Sequence, residues 1–137
     1  MRHQRIVTGM CAWLLLCVAV TASAQSAPQK TATQFYAEYR VAFDKAKKIE
    51  DLLPFISADM KKQIDATPAG DRAQMFELMK ALNVTNVKVL KEERTATGAT
   101  LTAEGMDSDK KKSTGKIEIL RENGAWKIGQ EAWNTSS

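Results

Sequence analysis

The chain has 137 residues, 44% of them hydrophobic and 26% charged, with a formal charge of +4. That length suits one packed domain, and the charge is too small to argue for a polyanionic partner such as nucleic acid. One histidine and two cysteines in the whole sequence leave little for imidazole or thiol chemistry.

The opening residues narrow this further. Arg2 and Arg5 precede an apolar run from about Met10 to Val20, and Ala22-Ser23-Ala24 follows. A basic head, a short apolar body and small residues at a cut site make up a secretory signal peptide. The run is shorter than the ~20 residues a spanning helix needs. The expectation is therefore removal of residues 1–24, a periplasmic or secreted protein, and no stable membrane insertion afterwards. Cleavage would leave 113 residues and take away His3, Cys11 and Cys17. It would also remove two arginines and no acids, lowering the formal charge by two. A mature chain of this kind has no disulfide, no cysteine or serine–histidine nucleophile and no histidine-containing zinc site.

Residues 25–30 (QSAPQK) read as a flexible lead, with the single domain over 31–133 and a tail over 134–137. Thr31 and Gln34 form a capping box, and Phe35, Tyr39, Ala42, Phe43 and Ala46 recur at helical spacing to about Lys48. Tyr36 and Arg40 lie at the edge of that stripe. The pattern breaks at Pro54, and Ser57 then caps a short helix to about Asp65. Thr67-Pro68 opens a third helix with proline in the first turn, and Met75, Leu78, Met79 and Leu82 form its stripe.

Beyond Leu82 the period falls to two. Val87 and Val89, Leu101 and Ala103, Ile117 and Ile119, and Trp126 and Ile128 mark four strands. Asn123-Gly124 is a tight hairpin signal, because both residues tolerate positive φ. Short connections imply an antiparallel meander. The expected fold class is α+β, with three N-terminal helices packed on one face of a curved four-stranded antiparallel sheet, cone-like in shape.

Asn123-Gly124-Ala125-Trp126-Lys127-Ile128, with Glu131 and Trp133 after it, closes the sheet. Together with the long amphipathic first helix, this resembles the cystatin-like, nuclear transport factor 2-like superfamily, and most closely its small exported bacterial members. The resemblance spans residues 31 to 133. It implies a cone whose mouth can hold a ligand, form an active site or be filled by core side chains. The isomerases and dehydratases of that superfamily carry buried aspartates, often with histidine or tyrosine, and no such dyad maps onto these residues.

The candidate ligand-binding residues are Tyr36, Tyr39, Arg40 and Trp126, the tyrosines being apolar in body and polar at the tip. Aromatics at helical spacing more often build core, and a surface charge is the plainer role for Arg40. If the last strand is regular, Trp133 lies seven residues from Trp126 and on the opposite face, where it joins Leu90 and Leu120 as a partner surface. A bulge at Gly129 would reverse that placement. No catalytic residue, metal site or cofactor is expected; Asp107-Ser108-Asp109 opens like a calcium loop, but lysines 110–112 follow where ligands should stand. The functional expectation is an exported non-enzymatic binding module. It would hold a small apolar or amphiphilic ligand in the cone, or an exported protein on the sheet, an inhibitor or immunity-type role or a homodimer among the forms. The alternative is a small isomerase- or dehydratase-like enzyme using a carboxylate or tyrosine, for which Glu104 and Glu118 are the strand acids to check; both fall on the solvent-facing parity.

Overall fold

The structure is a computed structural model and describes residues 29–136; the signal-peptide expectation for 1–24 lies outside the described residues. Helix α1 (Ala32–Lys45) is followed by a 3-10 helix (Ile49–Phe55), α2 (Ala58–Ala66) and α3 (Ala69–Ala81). Strands β1 (Thr85–Arg94), β2 (Gly98–Met106), β3 (Lys112–Glu122) and β4 (Ala125–Thr135) come after. The sheet is an antiparallel meander in the order β1-β2-β3-β4. The α+β class, with helices ahead of and packed on one face of a four-stranded sheet, agrees with the sequence pattern.

Several local signals act as their chemistry dictates. Thr31 Oγ1 accepts from the Gln34 N–H at 3.1 Å, and Gln34 Oε1 accepts from the Thr31 N–H at 2.9 Å. Ser57 caps α2. Asn123 and Gly124 turn the β3–β4 hairpin at φ values of 51° and 78°. Two boundaries differ from expectation. Helix α1 stops at Lys45, because the Asp51 carboxylate accepts the N–H groups of Lys47 and Lys48 and holds the chain in the tighter 3-10 turn that contains Pro54. Pro68 sits at the N-cap of α3 rather than within its first turn. Strand pairing also continues beyond residue 133, to Thr135 opposite Ser113.

The core lies between α1 and the sheet. From α1 come Phe35, Tyr36, Tyr39 and Phe43; the sheet supplies Ala99, Leu101, Ala103, Ile117, Ile119 and Ile128, all at most 2% exposed. The strand residues are the alternating set that the period of two selects. Helix α3 is attached more lightly. Phe76 packs edge-on to Phe43, and Lys80 Nζ donates to the Phe43 and Asp44 carbonyls at 2.7 and 3.0 Å, closing the C-terminal end of α1. Leu78 on the same helix and Leu82 at its C-cap are more than half exposed.

The sheet is irregular at both edges. On β1, Val89 pairs with Ala103 and Lys91 with Thr102, so Leu90 is an extra residue. The pleat is reset, and Glu92 falls opposite the fully buried Leu101, on the helix side. There its carboxylate accepts the Thr33 N–H at 3.0 Å and the Thr33 hydroxyl. Partial burial raises the Glu92 pKa, but these bonds and one from the Ala32 N–H outweigh it, and the net displacement is downward. An anion at the N-terminus of α1 also complements the helix dipole.

Because that pKa is lower folded than unfolded, the contribution of Glu92 is fully present at neutral pH. It is lost as pH falls through the folded value, below the ordinary glutamate range. Glu92→Ala is expected to cost about 1 kcal/mol in urea denaturation at neutral pH, with the gap to the parent closing in strong acid. A gap that stays constant deep into acid would contradict this role.

Candidate functional site

The site begins with one unpaired residue on β4. Glu118 pairs with Gln130 and Ile119 with Ile128, which leaves Gly129 without a partner on β3. The extra residue shifts the pleat by one. Beyond it, Glu131 stands opposite Ile117 and Trp133 opposite Gly115, both buried positions on the helix side. Gly115 makes room for the indole: a Cβ there would lie 2.7 Å from the Trp133 ring. Gly129 is constrained too, since a Cβ on it would come within 2.9 Å of the Leu120 side chain.

The inward Glu131 collects donors on a single oxygen. Its Oε1 accepts from the Tyr36 hydroxyl at 2.8 Å and from the Trp133 indole N–H at 2.8 Å, with Arg40 Nη1 at 3.4 Å. Arg40 is held in turn by α1 and by the loop after α3. Its Nη2 donates to Asn83 Oδ1 at 2.6 Å and to the Val84 carbonyl. Both ends of the ion pair are mostly buried, at 15% and 18% side-chain exposure, so water screens them less than a surface pair. Glu131 Oε2 receives no hydrogen bond from the described residues, and neither does the Tyr39 hydroxyl. Among the described residues no polar side-chain atom sealed from solvent lacks a partner, so these two oxygens are not enclosed in the core.

Both tyrosines are firmly protonated. Burial, then the charge of Glu131 and the hydrogen bond to it, push the Tyr36 phenol far above its ordinary range, with Arg40 offsetting only part. Burial and the Glu131 charge do the same to Tyr39. At any physiological pH they are neutral hydroxyls.

A hollow of about 360 Å³ opens beside this group, beneath α3. Its walls are Tyr39, Phe43, Met60, Met75, Leu78, Met79, Leu82, Ile128 and Trp133, and Arg40, Asn83, Val84 and Glu131 close one end. A second hollow of about 230 Å³ runs on toward Ile64 and Thr67. Tyr39, Met60, Met75 and Met79 line both hollows. A larger depression of about 610 Å³ lies between α1 and β1, but Thr33, Arg40, Asp44, Asn83, Thr85 and Asn86 give it a more polar lining than the cleft beneath α3. Less apolar burial is available there, so the cleft under α3 is the stronger ligand site. Among the described residues no group of three or more His, Cys, Asp or Glu could hold a metal ion.

Of the residues singled out by sequence, Tyr36, Tyr39 and Arg40 come together here. Trp126 does not join them. It is buried elsewhere, its indole N–H donating to the Lys30 carbonyl at 2.7 Å while the Arg121 guanidinium stacks over its ring. Leu90, Leu120 and Trp133 do not share a face: the Gly129 bulge carries Trp133 to the helix side, Leu90 is exposed at its own bulge, and Leu120 half-covers Gly129 from outside. Glu104 and Glu118 remain on the outer face, near Lys112 and Lys116. The acid that enters the site is Glu131, which the pleat parity conceals. Gly129, two residues earlier, was its only signal.

Comparison with family models, with curated proteins and with solved structures returns no match. The site therefore stands on its geometry.

Removing single members should separate their roles. Tyr36→Phe deletes one of three donors to Glu131 and is expected to cost about 1 kcal/mol of unfolding free energy. Arg40→Leu strands the Val84 carbonyl and Asn83 together with Glu131, and about 2–3 kcal/mol is expected. Urea midpoints at unchanged slope measure both; a cost for Tyr36→Phe exceeding that for Arg40→Leu would contradict this assignment.

Proposed function

We propose that the protein is an exported, non-enzymatic binding module of the cystatin-like, nuclear transport factor 2-like type. It holds a small apolar or amphiphilic ligand in the cleft beneath α3. The observation that carries this reading is the pairing of an apolar hollow with a fixed polar end, where Glu131 and Tyr39 each keep an unused oxygen. Ligand sites combine largely hydrophobic walls with a few placed polar groups in this way. Affinity would come from burying apolar area against Met60, Met75, Met79 and Trp133. The methionines suit that task, since an unbranched flexible thioether adapts to the shape it meets.

Two rivals have less support. An acid–base enzyme needs a group poised to exchange a proton near neutral pH, and both tyrosines of the site are displaced far from that. A protein partner docking on the outer sheet face loses Trp133, which leaves Leu90 and Leu120 as its large apolar contacts.

The mature protein purified from its native host is expected to carry a mass excess in native mass spectrometry that vanishes under denaturing conditions. Its mass should be that of a small molecule. A bare monomer that also takes up no amphiphile on incubation would overturn the reading.

A further inference from the structure

The polar end of the cleft has a definite charge balance. Arg40 and Glu131 are the only charged residues among those lining it, and their formal charges cancel. A ligand bearing its own charge would bring it beside this neutral pair. A carboxylate head would be attracted by Arg40 and repelled by Glu131, and an ammonium head the reverse, so each would lose hydration with little net charge stabilisation in return. Two free oxygens stand at this end, while Arg40 Nε and the Asn83 side-chain nitrogen also make no hydrogen bond among the described residues. Glu131 Oε2 can only accept as a carboxylate, whereas the Tyr39 hydroxyl can donate or accept.

We propose that the ligand is a single-chain amphiphile with an uncharged head that both donates and accepts hydrogen bonds, a hydroxyl or an amide rather than a carboxylate or an ammonium. The inference rests on the cleft being a ligand site. The head donates to Glu131 Oε2 and accepts from the Tyr39 hydroxyl. The chain lies along Met75 and Met79 and passes from the first hollow into the second, the methionines between them shifting to admit it. Tyr36 and the Trp133 indole hold Glu131 in place from behind; they are positioning residues.

The test keeps the chain constant and changes only the head. Binding of 1-decanol, decanoate and decylammonium to the mature protein is measured at neutral pH by isothermal titration calorimetry. Because the apolar part is shared, its contribution cancels. Decanol is expected to bind at least about tenfold tighter than either ion. In Glu131→Gln, which keeps the shape and removes the negative charge, Arg40 is no longer balanced and decanoate should gain at least about tenfold relative to decanol. In Met79→Glu, which sets a charge in the apolar wall, all three should weaken by at least about tenfold, with circular dichroism confirming the fold. Decanoate or decylammonium matching decanol on the unaltered protein would overturn the head-group inference and leave the cleft reading intact. Failure of all three to bind, or binding indifferent to Met79→Glu, would overturn the cleft reading itself.

Discussion

A pleated strand turns alternate side chains to opposite faces, so two residues on one face are separated by an even number of positions. Ile128 and Glu131 are three apart, and both point toward the helices. The unpaired Gly129 between them reconciles the two facts, and the site depends on it. Without that extra residue Glu131 and Trp133 would stand on the outer face. Tyr36 would lose its acceptor, Arg40 its counter-ion, and the cleft its polar end and one of its walls. The bulge is held from both sides, Leu120 packing against Gly129 and Trp133 lying over Gly115.

The opposite edge strand repeats the device. Leu90 resets the pleat of β1 as Gly129 resets that of β4, and each reset sends one carboxylate inward. Both carboxylates then meet α1. Glu92 binds the first turn at Thr33, and Glu131 binds the middle of the helix at Tyr36 and Arg40. The long helix is thus registered by a polar contact from each edge as well as by the aromatic stripe buried against the central strands. Apolar packing alone tolerates sliding and repacking, whereas hydrogen bonds from two separated edges fix one position. The same contacts align Arg40, which with Asn83 and Val84 is shared by the α1–β1 depression and the cleft beneath α3.

Helix α3 plays a different part. Its anchors, Phe76 and Lys80, both reach α1, while its methionines and leucines face a hollow instead of a filled core. A helix tied along one side and unfilled along the other can admit a guest with little loss of existing packing. That arrangement links the light attachment of α3 to the proposed function.

Much of the fold was legible from local signals. The Thr31 box, the Ser57 cap, the Asn123-Gly124 turn and the four alternating runs each specify their element through short-range chemistry. The site was legible only in part. Tyr36, Tyr39 and Arg40 could be read from helical spacing. Glu131 and the inward Trp133 could not, because a bulge is a relation between two strands and strict alternation assigns everything beyond it to the wrong face. Gly129 left a visible trace as a glycine within a strand; Leu90 left none, since leucine has no special tolerance for the bulged position. Trp126 misled for a related reason. Its parity was right, but its partner is the backbone of Lys30, a contact across 96 positions that no local pattern announces.

The most direct test of the account is the environment of the Trp133 ring, read from nuclear Overhauser effects in the isotope-labelled protein. The inward placement predicts cross-peaks from the benzo edge of Trp133 to the α-protons of Gly115, with those protons shifted upfield by the ring current. Cross-peaks from Trp133 to the outer-face side chains of Thr114 and Lys116, with Gly115 unshifted, would mean a strand without its bulge. The site built on Glu131 would then not exist.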